Sequence, residues 1–161
     1  MKYFHMPSLA QSKQSGFSLL EVLITLVILA IGLLGLAGIQ ATGLKQNHSA
    51  YARSQATQLA YDVADRMRSN RTAVNSYITA DPSTASIQAG CTAGGCSTSQ
   101  MAENDLYEWN LALTNTLPLG EATISVAAGI YTIAINWDDN RDGTVDGDDP
   151  NFQVSFEPWK P

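Results

Sequence analysis

The hydrophobic pattern changes twice along this chain, and each change marks a different kind of element. From Val22 to Ile39 no side chain is charged and only Thr25 carries a hydroxyl, while Phe17, Leu19 and Leu20 extend the apolar run backwards past Glu21. A helix that crosses a bilayer core needs about 20 mainly apolar residues. Between residues 17 and 39 lie eight Leu, four Ile, two Val and one Phe. Each favours insertion by about 0.3–0.6 kcal/mol, against about 3 kcal/mol for one acidic group at mid-membrane. Glu21 stands near the end of the run, where that cost is smaller, so insertion wins.

The next stretch, Gln40 to Asn70, carries no strong helix stop, but its composition is mixed. Ala52, Ala56, Leu59, Ala60, Val63 and Met67 recur at three- and four-residue intervals and give one apolar face. Asp62–Arg66 and Asp65–Arg68 are i,i+4 and i,i+3 pairs on the wetter side. The spacing predicts a single helix from Phe17 to about Asn70, roughly 80 Å long at 1.5 Å per residue. Its first half is apolar all round, the membrane-spanning part at 17–44. Its second half, 45–70, is amphipathic and needs a globular partner.

Gly32, Gly35, Gly38 and Gly43 interrupt good helix formers, each at a cost of up to about 1 kcal/mol. Two readings fit: close packing between membrane helices, where small residues are common, or a helix able to unwind as it leaves the bilayer.

Residues 71–98 are rich in Ser, Thr, Ala and Gly with little periodicity, and read as a long surface loop. Leu106, Trp109, Leu113 and Leu117 then follow helical spacing, with Ser99 as a cap and Pro118-Leu119-Gly120 as a stop. Alternation at Ile124 and Val126, at Tyr131, Ile133, Ile135 and Trp137, and at Phe152, Val154 and Phe156 predicts antiparallel strands at 121–127, 130–137 and 152–157. The expected fold class is α+β: one small sheet laid on the amphipathic half of the long helix, within a head spanning 71–161.

Charge narrows the functions. The net charge is −6, and an acidic surface repels phosphate backbones, so nucleic acid is not an expected partner. Lys2 and Lys13 are the charged side chains ahead of the apolar run; they favour a cytoplasmic N-terminus and a periplasmic head. In that oxidising compartment, Cys91 and Cys96 are expected to close a disulfide around a tight loop, worth about 2 kcal/mol before strain. Four residues separate them rather than two, which disfavours a redox-active pair. A zinc site would need more ligands, and His5 and His48 are poorly placed to supply them. No nucleophile–base constellation suggests an enzyme.

The acidic segment Asp138–Asp149 has the spacing D-x-N-x-D-G-x-V-D-x-x-D, an EF-hand-type loop ending in Asp rather than Glu. Calcium takes six to eight oxygens. Asp138, Asn140, Asp142 and Asp149 offer side-chain ligands, Thr144 its backbone carbonyl, and Asp146 a direct or water-mediated contact. Gly143 allows the sharp turn, and Val145 is expected to face the core. The segment also resembles the calcium loops of dockerin modules. The alternative is an acidic, solvated hairpin loop, since the flanks read as strands rather than helices.

A cleaved secretory signal suits the N-terminal basic residues, but the apolar run is too long for one and no A-x-A-like site follows it. Instead Ser15-Gly16-Phe17-Ser18-Leu19-Leu20-Glu21 resembles a prepilin processing site, with Gly before the cut, Phe after it and Glu at the fifth mature position. The resemblance implies a leader at 1–16, cleavage between Gly16 and Phe17 by a prepilin peptidase, and N-methylation of Phe17. It also implies that Glu21 meets the Phe17 amine of a neighbouring subunit. Physics alone allows a plainer role for Glu21, an interfacial acid at a helix N-terminus. Ala30–Gln40 and Arg53–Asn70 further resemble the PilV family of minor pilins. That likeness implies a pilin-like fold, inner-membrane insertion before surface display, and partners among other minor and major pilins and the inner-membrane assembly machinery. A minor pilin supporting filament assembly, and hence motility or adhesion, is therefore the expected function. A type II secretion pseudopilin is the alternative, and an adhesive module using the 71–98 loop is a further possibility.

Overall fold

A computed structural model describes residues 16–159. The expected leader, 1–16, therefore lies outside the described residues except for Gly16, and so do Lys2, His5 and Lys13. The chain divides into two compact units, Met1–Leu44 and Lys45–Pro161, and helix α1 (Leu19–Ser69) contributes to both.

In the first unit, the described helix is apolar and bare. Its most hydrophobic 18-residue window has a mean hydropathy of 2.8 and buries nothing within the chain, so by length and composition it can cross a membrane. A bilayer or other helices must cover this surface, because water would not.

The second unit is built around the other half of α1. Ala52, Ala56, Ala60 and Ala64 form an i,i+4 row, flanked by Leu59, Val63 and Met67, and all are buried. Small side chains along that row let neighbouring elements approach closely. The predicted apolar face is thus the observed one, with Ala64 added.

Three antiparallel strands follow in meander order: β1 (Glu121–Ala127), β2 (Ile130–Asn136) and β3 (Asn151–Phe156). Ile124 pairs with Ile133, and Ile133 with Val154. Alternation places Ala122, Ile124, Tyr131, Ile133 and Ile135 in one core cluster with the α1 face, and period-two patterning of this kind fixes register. Arg68 of α1 stacks its guanidinium 4.8 Å from the Phe156 ring centre, which adds a cation–π contact between helix and sheet. The long helix packed on a small antiparallel sheet is the α+β, pilin-like layout expected from the sequence.

The connection after α1 differs from the long loop the composition predicted. Arg71–Tyr77 and Pro82–Thr84 form 3-10 turns, and Ala89–Ala93 forms a short helix, α2. Thr79 exchanges two backbone hydrogen bonds with Ile124, at 3.0 and 2.8 Å, and so covers part of the outer edge of β1. Side chains of helix α3 (Thr98–Thr116) hold the rest: Glu103 accepts from Ser86 N, and Asn104 accepts from Gln88 N. The turns are specified by these distant partners, which local composition does not reveal.

Helix α3 begins two residues earlier than the Ser99 cap expected. Ser97 is the cap, its hydroxyl accepting from Gln100 N while Gln100 accepts from Ser97 N. This is the reciprocal capping box of an S-x-x-Q sequence.

Candidate functional site

The residues expected to be processed, Gly16 and Phe17, lie just before the N-terminal end of α1. Gly16, Phe17 and Ser18 precede the helix in irregular backbone. Ser18 starts the helix: its hydroxyl accepts from Leu20 N at 3.3 Å, and its carbonyl accepts from Glu21 N and Val22 N. Phe17 is 85% exposed. A side chain placed at Gly16 would meet nothing within 4 Å among the described residues.

Glu21 occupies the first turn of α1, where the helix dipole favours an acid. Among the described residues its carboxylate makes no hydrogen bond or ion pair; only its backbone participates, the carbonyl accepting from Thr25 Oγ1 at 2.7 Å. Phe17, Glu21 and Thr25 follow one another at four-residue spacing and share a face of the chain. Among the described residues the Glu21 side chain thus has no partner; the resemblance implies one on a neighbouring subunit.

Gly32, Gly35, Gly38 and Gly43 likewise have nothing within 4 Å of an added Cβ, and all lie inside continuous helix. Unwinding at these glycines is absent from this structure.

The loop after β2 carries the residues expected to hold calcium. Asp138 is buried, and its carboxylate accepts from the backbone N–H of Arg141, Asp142 and Gly143 at 2.6, 3.2 and 3.0 Å. Asp142 accepts from Thr144 N and Thr144 Oγ1, and from Asn140 Nδ2. The Thr144 hydroxyl first, then its N–H and the Asn140 amide, hold Asp142 below the usual carboxylate range. Asp149 accepts from Asp139 N and Asp146 N, and Asp146 from Asp148 N. Gly143 adopts φ 92°, the turn for which the spacing reserved a glycine.

The loop thus closes on its own backbone. Among the described residues no three His, Cys, Asp or Glu side chains are grouped so as to hold a metal ion. The side chains as they stand do not form a cation cage, and their oxygens are turned toward the loop's own N–H and hydroxyl donors. Val145 is half-buried and does not join the core cluster, contrary to the expectation from its place in the loop.

Cys91 and Cys96 form the disulfide the sequence suggested, with Cα atoms 4.9 Å apart. Gly94 ends α2 at φ 117°, and Gly90 sits so close to Gly95 that an added Cβ would lie 3.0 Å from its carbonyl oxygen.

Sequence reasoning missed a polar network at the junction of α1 and α3. The expected Asp62–Arg66 and Asp65–Arg68 pairs are present. Arg66 also reaches Asp105 and Glu108 of α3, each at 3.1 Å. The buried Tyr77 hydroxyl donates to Asp105, and Asn70 donates to the Thr98 carbonyl at 2.7 Å. Burial, reinforced by the bond to Asp105, pushes the Tyr77 phenol well above the usual tyrosine range. No periodicity predicts such contacts, because they join residues 28 to 42 positions apart.

Comparison with known families places these features. Residues 11–37 match the prokaryotic N-terminal methylation motif, and residues 38–107 match the family described as type IV pilin Tt1218. Searches of curated proteins and of solved structures find no match. The two family matches are consecutive, cover α1 and the first half of α3, and make the chain similar to type IV pilins with an N-terminal methylation motif.

Proposed function

We propose that this protein is a minor pilin of a type IV pilus, a structural subunit that supports filament assembly and hence motility or adhesion. The carrying observation is the Glu21 carboxylate, without a side-chain partner among the described residues, at the start of a bare apolar helix just after an exposed Phe17. A charged carboxylate taken into an apolar environment needs a partner. Cleavage after Gly16 would create that partner, the Phe17 amine, on every other processed subunit. The pilin similarity supports processing by prepilin peptidase, membrane anchoring by α1 and a structural rather than catalytic role. The N-terminus faces the cytoplasm and the head the periplasm until assembly, on the charge asymmetry of Lys2 and Lys13.

Assignment to the PilV subgroup rests on the residues of 30–40 and 53–70. The alternative, a type II secretion pseudopilin, shares the anchor and the cut but acts in protein export. Deleting the gene separates them: loss of surface filaments with secretion intact supports the minor pilin, and the reverse supports the pseudopilin.

Calcium binding by the acidic loop is a separate proposal. It is supported by the spacing of Asp138, Asn140, Asp142, Thr144, Asp146 and Asp149 and by the Gly143 turn. A carboxylate has about four lone-pair sites, so Asp138 and Asp142 retain acceptor capacity beyond their present bonds.

A further inference from the structure

The polar network that joins α1 to α3 also lines a groove. It has a volume of about 530 Å³ and lies between the last turns of α1 and the first turns of α3, beside the Cys91–Cys96 disulfide. Asn70 is the buried member of its lining, 9% exposed. The Asn70 amide nitrogen donates to the Thr98 carbonyl at 2.7 Å and to the Tyr77 hydroxyl at 3.4 Å, which ties the end of α1 to the start of α3. Its side-chain oxygen, Oδ1, accepts from no group among the described residues. No fully enclosed side-chain polar atom of a described residue lacks a partner. This oxygen is therefore open, and the groove is the space that Asn70 borders. An acceptor so deeply placed costs free energy unless something in the groove donates to it.

The charges around Asn70 have one sign in excess. Exposed Asp62 and Asp65 come from α1, and half-buried Asp105 from α3. Arg66 is the basic residue of the lining, and its guanidinium is already shared among Asp62, Asp105 and Glu108. Asp62 gives one oxygen to Arg66 and Asp65 gives one to Arg68, so each keeps a second oxygen without a donor among the described residues. Met101, 42% exposed, and Cys96 add apolar surface to the same groove.

We propose that this groove receives the side chain of a lysine presented by a neighbouring protein subunit. An ammonium has three donors and no acceptor, which matches Asn70 Oδ1 and the spare oxygens of Asp62 and Asp65. Its aliphatic stem can lie along Met101 and Cys96 while the charge reaches the carboxylates. Arginine matches less well. Its planar fork seeks both oxygens of one carboxylate, and Asp62 and Asp65 each have one taken. A metal ion fits poorly, because among the described residues no three carboxylates are grouped so as to hold one. An anion would meet three carboxylates against one guanidinium that is already paired, and a neutral ligand would leave their charge uncompensated. A protein source follows from the anchor: a head tethered by a bare apolar helix meets neighbouring subunits at high effective concentration. The inference rests on that anchor and not on entry into a pilus.

The test has two arms. In the first, isotope-labelled full chain in detergent micelles is titrated with acetyl-lysine methylamide, and NMR follows the Asn70 side-chain amide and the Met101 methyl. The comparators are the norleucine analogue, which has the stem without the amine, the arginine analogue and spermidine. The lysine probe is expected to shift both signals, and the norleucine analogue neither. Asp65→Asn should weaken the lysine probe by about threefold and Asn70→Ala by about tenfold, the size of one hydrogen bond lost. Asp65 is exposed, so its variant keeps the fold and guards against misreading an unfolded Asn70→Ala. In the second arm, membranes are treated with a carbodiimide, which joins a carboxylate to an amine it touches. Mass spectrometry is expected to find Asp62 or Asp65 joined to a lysine of another chain, and to lose that product when both become Asn. Silence toward the lysine probe, equal shifts from norleucine, shifts from spermidine alone, indifference to Asp65→Asn, or cross-links confined within one chain would overturn the proposal. Membranes carry the tethered head whether or not filaments form, so a failure of pilus entry leaves both arms readable.

Discussion

The indole N–H of Trp109 donates to the carbonyl oxygen of Leu59 at 2.8 Å, in the buried seam between α3 and the middle of α1. A carbonyl has two lone pairs, so Leu59 can serve the helix ladder and the indole together. Trp109→Phe is expected to keep the fold and to cost about 2–3 kcal/mol, from one lost hydrogen bond and a small cavity. Chemical unfolding of the chain in detergent micelles measures this. An unchanged midpoint would mean that the seam does not hold the head to its helix.

Tyr77 gives a pH signature. Its phenol is raised above the ordinary value of about 10, so its contribution is complete below pH 10 and is lost as pH rises beyond it. Tyr77→Phe should be less stable by about 1–2 kcal/mol at neutral pH, and the gap to the parent should narrow as pH climbs past about 10. A gap that stays constant across the alkaline range would contradict the buried Tyr77–Asp105 contact.

The β1–β2 hairpin turns through two residues, Ala128 at φ 51° and Gly129 at φ 81°. Both angles are positive, as a type I′ turn demands, and an L-residue with a Cβ pays for that conformation. Asn tolerates it better than Ala. Ala128→Asn should therefore stabilise the head by about 0.5–1 kcal/mol, read as a higher melting temperature. A lower one would show that the turn takes another form in solution.

How the sequence signals its structure depends on how local the cause is. The apolar run, the Ala-rich face of α1 and the alternating strands are periodic, so they can be read directly. The Ser97 cap was legible too, since Ser97 and Gln100 carry the box; choosing Ser99 overlooked that spacing. The ordered turns at 71–93 were not legible. They depend on Glu103 and Asn104 reaching across space, and their own composition signals only a loop. The Gly16-Phe17 motif was plain in the sequence, while the lack of a Glu21 side-chain partner among the described residues needed coordinates.

Calcium tests the acidic loop. The loop is already closed by its own hydrogen bonds, so the head should fold in chelator and gain only a modest rise in melting temperature with millimolar calcium. Asp142→Ala should abolish the rise. Identical melts in chelator and calcium would leave the loop a solvated acidic hairpin.

Glu21→Ala should leave membrane insertion intact, since the apolar run is untouched, and should strongly reduce recovery of the protein in filaments. Phe17 and Gly16 remain in that variant, so the cut should proceed. Normal incorporation would remove the assembly role assigned to Glu21.

The most direct test of the central claim is to shear surface filaments from cells and search them by mass spectrometry for a peptide beginning at N-methylated Phe17. A processed minor pilin predicts that peptide in the sheared fraction. Finding only chain that still continues through Gly16 into the leader, or the processed peptide in membranes alone, would contradict it.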